Sequence, residues 1–200
     1  MDDRALVERL RNRDEQAFME LVEQYGPAML RVAQSFVRSR AVAEEVVQDA
    51  WVGVLRGIDR FEGRSSLKTW IFRILTNRAK TRGIREGRSL PFSSLEPAGP
   101  AVEADRFHDG SHNWPGHWAA LPRAFPEERL LSAETRGVIE RAIAALPPTQ
   151  RAVISLRDVE GWTAEEVCNA LTLTETNQRV LLHRARSAVR TALERYFEES

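Results

Sequence analysis

Residues 163–186 read Thr-Ala-Glu-Glu-Val-Cys-Asn-Ala-Leu-Thr-Leu-Thr-Glu-Thr-Asn-Gln-Arg-Val-Leu-Leu-His-Arg-Ala-Arg. Thr163 and Glu166 have the spacing of a capping box, which opens a helix over residues 163–171 with Val167, Ala170 and Leu171 inward. A turn at Leu171-Thr172-Leu173 follows, and Thr174 caps a basic helix that continues to Phe197. This is the spacing of a helix-turn-helix, whose second helix enters a major groove and offers its N-terminal side chains to base edges. The residues expected outward are Glu175, Thr176, Asn177, Gln178, Arg179, His183, Arg184 and Arg186. Asn and Gln can read adenine, Arg can read guanine, and the later arginines can hold phosphates. The same pattern also fits an ordinary helical hairpin, and Thr172 stands where such turns commonly carry glycine.

Outward from this stretch the periodicity stays helical, with no alternating strand. Apolar residues from Phe18 to Val37 fall at spacings of three and four, making one stripe that Gly26-Pro27 is expected to kink or break. A further helix over residues 41–58 turns Val46, Ala50, Trp51 and Val54 inward and leaves Glu44, Glu45, Gln48 and Asp49 on a polar flank. Loop chemistry covers residues 57–66, and Ser65 or Ser66 can cap a helix from Leu67 to about residue 85. Between Ser89 and Pro126 the period dissolves; six of the nine prolines fall here, so the stretch reads as a flexible linker. Helical pattern resumes near Pro126 with Leu130 and Leu131 inward, stops at Pro147-Pro148, and restarts over residues 149–159. The expected architecture is all-α, in two small helical domains: residues 1–88, a linker over 89–126, and residues 127–200.

Equal numbers of bases and acids, 29 of each, conceal an uneven distribution. Residues 60–88 carry a net charge of +7 and residues 179–195 one of +4, whereas residues 1–59 carry −3 and residues 96–134 carry −4. Two basic patches separated by an acidic stretch are the footprint of a polyanion binder with two contact points, although a charge run by itself also fits a solvated helix face. Cys168 is the only cysteine, which excludes an intramolecular disulfide and fits a reducing compartment. The acidic start Met1-Asp2-Asp3-Arg4 without an apolar run behind it, and the lack of a long apolar stretch, predict a cytoplasmic protein with no membrane insertion. No nucleophile-base pair, carboxylate dyad or phosphate loop is visible, so no catalytic residue, cofactor or enzymatic activity is expected.

Leu146-Pro-Pro-Thr-Gln-Arg151, Leu156-Arg-Asp-Val-Glu-Gly161, Glu165-Glu166-Val167 and Val180-Leu-Leu-His-Arg-Ala-Arg186 resemble the domain-four signature of bacterial extracytoplasmic-function sigma factors. Ala43-Glu-Glu-Val-Val-Gln-Asp49 followed by Trp51 resembles that family's core-polymerase-binding helix. Phe61-Glu-Gly-Arg-Ser-Ser-Leu-Lys-Thr-Trp70, with Ile74 and Asn77, resembles its promoter-melting segment. Two signatures in order, separated by a linker, carry more weight than either alone.

The resemblance implies a protein that binds core RNA polymerase, directs it to promoter DNA and opens the minus-ten region. It implies that Glu44, Glu45, Gln48, Asp49 and Trp51 meet the clamp coiled coil of the polymerase. It also implies that the loop over residues 61–66 holds a flipped base in the single-stranded minus-ten region. Phe61, Arg64, Ser65, Ser66, Lys68, Trp70, Arg73, Asn77, Arg78 and Lys80 then line the strand. The minus-thirty-five duplex falls to Thr176, Asn177, Gln178, Arg179, His183, Arg184 and Arg186. A cognate anti-sigma factor is a further partner that the resemblance implies.

Phe61 and Trp70 are candidates for stacking on unpaired bases, but Trp70 shares the stripe of Leu67, Ile71 and Ile74, which favours core packing for it. His108, His112 and His117 invite a zinc site, yet that segment has no scaffold for one, and no metal is expected. Cys168 lies on the inward side of its helix and reads as a small core residue. The competing function is a stand-alone helix-turn-helix regulator, which would bind duplex DNA unaided; a pure protein-interaction module would leave both basic patches idle.

Overall fold

A computed structural model describes residues 3–87 and 133–199, and among these the protein is all-α, with no strand. The expected linker, the pair Leu130 and Leu131, and the histidines His108, His112 and His117 lie outside the described residues. Helix α1 (Asp3–Arg11) buries Leu6, Val7 and Leu10. Helix α2 (Glu15–Phe36) starts at Asp14, whose carboxylate accepts the Ala17 N–H at 3.1 Å. The expected break at Gly26-Pro27 does not occur, because α2 runs through Pro27. Proline removes one intrahelical hydrogen bond and crowds the carbonyl four residues earlier. That residue, Glu23, is exposed, so water can serve its carbonyl, while Leu21 on one side and Ala28 and Met29 on the other anchor both halves in the core.

Helix α3 (Arg40–Gly57), capped by Ser39, buries Ala43, Val46, Ala50, Trp51 and Val54 and runs into a single 3-10 turn at Ile58–Arg60. Helix α4 (Leu67–Arg85) is capped by Ser66, whose hydroxyl accepts the Thr69 N–H at 3.2 Å. Phe72, Ile71 and Leu75 of α4 are fully buried. Near its end α4 presses on the last turn of α2, where Gly83 leaves no room: a Cβ there would stand 2.3 Å from the Phe36 carbonyl oxygen. Gly83→Ala is therefore expected to destabilise the protein by about 3 kcal/mol, the upper end of overpacking costs, because the obstacle is backbone. That outweighs the propensity gain of about 1 kcal/mol for Ala over Gly in a helix. Denaturant titration of the variant checks this.

The second half begins with α5 (Ala133–Ala145). Helix α6 (Pro148–Ile154) has proline in its first turn, where the missing N–H costs nothing. The helical stretch expected over residues 149–159 is divided, since a π-helical turn at Ser155–Val159 completes it. Helix α7 (Ala164–Leu171) carries the full capping box, with Glu166 N–H on the Thr163 hydroxyl at 3.2 Å and Thr163 N–H on the Glu166 carboxylate at 2.8 Å. The turn to α8 (Glu175–Glu199) passes through Thr172 in the left-handed region, φ 58°, so threonine accepts the conformation that glycine adopts freely. Cys168 is buried, as its inward position predicts.

The two halves pack against each other. Trp162, 5% exposed, sets its ring edge-on to Phe72 at 4.6 Å, and α7 lies along α4 while α6 rests on α2. Arg31 of α2 pairs with Glu160 across the same junction.

Candidate nucleic-acid interface

The loop over residues 61–66 joins the 3-10 turn to α4 and turns at Gly63, whose φ of 71° suits glycine. Its crest is exposed, with Arg64 paired to Glu62 at 2.8 Å. Its feet are fixed. Phe61 is 9% exposed and lies against Trp70 with ring centroids 5.1 Å apart, and the Phe61 carbonyl accepts from Arg11 at 2.8 Å. At the other foot the Leu67 N–H donates to Asp3 at 2.8 Å.

On the α4 side of the loop lies an open groove of about 540 Å³, within the range of small-ligand sites. Phe61 and Trp70 give it an aromatic wall, Arg64, Arg73 and Asn77 its polar edge, and Asn169 of α7 reaches its far rim. The aromatic pair divides its labour. Phe61 is turned inward, so the expectation of a free stacking face at Phe61 is corrected: the chain direction fixed at Ile58 buries it. Trp70 is only half-buried, packed over the backbone of α3 at Gly57, and its remaining surface borders the groove. The two readings of Trp70 are thus compatible, since it packs on one side and lines the site with the other.

Arg64, Arg73, Asn77 and Arg78 are exposed, and the Arg78 guanidinium lies across Gly53 of α3. Ser66 is exposed but spends its hydroxyl on the helix cap, and Ser65 is half-buried. Lys68 and Lys80 belong to a different environment. Lys68 meets Glu166 at 2.6 Å and sits 4.4 Å from the Trp162 ring centre. Lys80 donates to the carbonyl of Leu171, at the C-terminus of α7, at 2.9 Å. Burial pushes the Lys80 ammonium below its ordinary range. Glu166 is driven up by burial, but its hydrogen bonds from Lys68 and Thr163 prevail and hold it below the usual carboxylate range. The second half of the chain therefore occupies two of the cations that the charge pattern assigns to the first basic patch.

On α3, Glu44, Glu45, Gln48 and Asp49 are all exposed on one flank. Glu44 pairs with Arg40 at 2.8 Å and Glu45 with Arg82 at 2.9 Å. Trp51 does not share that flank: it is 7% exposed and meets Phe18 edge-on at 5.5 Å, so the expectation that it faces a partner is corrected. It follows Val47 by four positions on the inward stripe and supports the acidic flank from behind.

On α8, Thr176, Arg179 and His183 are exposed, Asn177 and Arg184 are half-buried, and Arg179 pairs with Glu175 at 3.3 Å. Gln178 departs from expectation: it is 1% exposed. It precedes buried Leu182 by four positions and Ala185 by seven, which puts it on the core stripe, and its amide nitrogen has no protein partner. Arg186 is exposed but grips Asp158 through two hydrogen bonds, 2.8 and 2.7 Å, tying α8 to the π turn. Burial, then the charges of Arg184 and Arg186, push the His183 imidazole below its ordinary range.

Sequence reading does not flag Arg11, Asp3, Trp162 or the partners of Arg186, all of which shape these surfaces. Their contacts join residues far apart in the chain, and no local spacing announces them. No helix among the described residues is long and apolar enough to cross a membrane, and no group of metal-ligating side chains occurs among them.

The chain matches the Sigma-70 region 2 family over residues 21–88 and the Sigma-70 region 4 family over residues 136–189. It is 33% identical over 189 residues to the ECF RNA polymerase sigma-E factor of Escherichia coli K12, covering 94% of this chain and 93% of that protein. Solved structures that share its fold include the following two. One is CnrH in complex with the cytosolic domain of CnrY, with a TM-score of 0.59, 21% identity, and 96% and 97% of the two chains covered. The other is the sigma factor RpoE in complex with the anti-sigma factor NepR from Bartonella quintana, with a TM-score of 0.58, 22% identity, and 88% and 96% covered. Helix-turn-helix, basic groove and acidic flank thus stand in one chain with both sigma regions in order, and the chain belongs to the extracytoplasmic-function group of the sigma-70 family of RNA polymerase sigma factors.

Proposed function

We propose that this sigma factor carries promoter DNA on two surfaces and core polymerase on a third, with residues 1–88 and 127–200 as its working domains and 89–126 joining them. The observation that carries this reading is the open groove beside Trp70, edged by exposed arginines. Arginines track a phosphate backbone, and an aromatic ring face stacks on any unpaired base for about 1–3 kcal/mol, which offsets the few kcal/mol of unstacking. In this reading Arg64, Ser65, Trp70, Arg73, Asn77 and Arg78 meet the opened minus-ten strand, and Phe61 and Ser66 hold the loop in shape. Lys68 and Lys80 join the strand once α7 moves off α4. Glu44, Glu45, Gln48 and Asp49 dock on the polymerase clamp, where an acidic flank suits a basic partner.

Thr176, Asn177, Arg179 and His183, with Arg184 behind them, read the minus-thirty-five duplex. Gln178 and Arg186 act from within the domain. Arg179→Ala is expected to reduce transcription about tenfold or more on a promoter with its upstream element, the worth of one base-reading contact, and to leave a promoter lacking that element nearly unchanged. Equal losses in the transcription assay would remove Arg179 from base reading. The chain is a regulatory subunit with no catalytic chemistry of its own, needs no cofactor, and acts in the cytoplasm with polymerase. An anti-sigma factor is proposed as its regulatory partner on the likeness to the sigma factor RpoE, solved in complex with the anti-sigma factor NepR.

The test is transcription in vitro with sigma-free core polymerase on fragmented genomic DNA from the source organism, reading RNA 5′ ends. New start sites sharing two upstream elements are expected only when the protein is added. A protein that binds duplex DNA tightly but ignores core polymerase would instead be a stand-alone regulator.

A further inference from the structure

The loop over residues 61–66 carries little of its own stabilisation: its crest, Glu62, Gly63 and Arg64, is exposed, and Gly63 leaves the backbone free to vary. What defines it is α1. The Arg11 guanidinium donates to the Phe61 carbonyl at 2.8 Å and reaches the Ile58 carbonyl at 3.5 Å, while its third nitrogen is held by Glu8 at 2.7 Å. One planar fork therefore spans the 3-10 turn, from its first residue Ile58 to the first foot of the loop at Phe61. Just beyond α1, Arg13 repeats the device, donating to the Leu55 carbonyl at 3.0 Å and to Asp59 at 3.1 Å. At the second foot the Asp3 carboxylate accepts the Leu67 N–H, a first-turn donor of α4. Both feet of the loop are thus pinned by the two ends of one helix, 50 and 64 positions away in sequence.

We propose that Arg11 and Asp3 are positioning residues for base capture, holding the loop in its receiving shape before DNA arrives. This rests on the reading of residues 61–66 as the minus-ten capture loop. A loop frozen in the free protein loses no further backbone freedom when a base enters it, so the gain appears as affinity for the unpaired base. Neither side chain has to touch DNA. Arg11 acts through the Phe61 carbonyl, which orients the ring under Trp70, and Asp3 through the start of α4.

The experiment uses full-length protein bound to core polymerase and forked promoter templates with a single-stranded minus-ten segment, on a promoter recovered by transcription as above. Affinity is measured with the intact strand and with an abasic site placed at each minus-ten position in turn. The native protein is expected to prefer a base to an abasic site at the captured position. In Arg11→Ala that preference falls by about tenfold, the factor carried by one hydrogen bond to a charged group, while affinity for the abasic template is retained. Arg11→Lys restores part of it. Asp3→Ala loses preference several-fold, whereas Asp3→Asn, which keeps an acceptor oxygen, stays near the native value. Equal losses on intact and abasic templates, or no loss on either, would overturn the positioning role. A native protein without base preference at any position would overturn the capture reading itself, and the proposal with it.

Discussion

Phe72→Ala is expected to cost about 3–5 kcal/mol, the range for removing a large aromatic ring from a packed core. The ring is fully buried and serves two cores at once, edge-on to Tyr25 at 6.1 Å within the first domain and to Trp162 of the second at 4.6 Å. Its removal should lower the unfolding temperature of the first domain and also loosen the domain junction. Trp162→Ala separates the two effects, because it deletes the junction half of the contact and leaves the Tyr25 side intact. Calorimetry of both variants, with small-angle scattering to follow the distance between domains, checks the prediction. A loss below about 1 kcal/mol for Phe72→Ala would mean that the ring is not packed this way in solution.

The second large effect is electrostatic. Replacing both Gln48→Lys and Asp49→Lys puts two positive charges on the exposed flank of α3. If that flank docks on a basic polymerase surface, like charges facing each other cost several kcal/mol, and core binding should weaken about a hundredfold or more. Both side chains are exposed, so helix content and thermal stability should stay near native. Binding of the double variant to core polymerase, measured at two salt concentrations, tests this: the defect should shrink at high salt as the repulsion is screened. Undiminished binding would remove the acidic flank from the polymerase interface.

The local devices were legible in the chain. Thr163 and Glu166 form the capping box that their spacing predicts, and Ser66, one of the two serines expected there, starts its helix. Leu67, Ile71 and Leu75 face the core on the period that their positions imply. Where an expectation departs from the structure, the packing of the helices gives the reason. Pro27 did not break α2 because the core holds both sides of it. Gln178, a polar residue among base readers in sequence, went inward because it shares a stripe with Leu182 and Ala185. Trp51 and Phe61, aromatic residues beside functional motifs, were taken up by Phe18 and Trp70.

Sequence by itself determined the all-α class and the two basic patches, because each follows from spacing within a few turns of helix, and the resemblance of its motifs to the sigma family supplied the two regions and their order. The tertiary structure alone decided which charges of those patches are available. Lys68 and Lys80 are basic in any reading of the chain, but only folding brings Glu166 and the Leu171 carbonyl onto them, from 98 and 91 residues away. The same holds for the loop at residues 61–66, whose sequence contains the glycine turn but not the Arg11 and Asp3 side chains that pin it. Hydrogen bonds and ion pairs depend on separation in space, and side chains remote in sequence meet only after the helices pack.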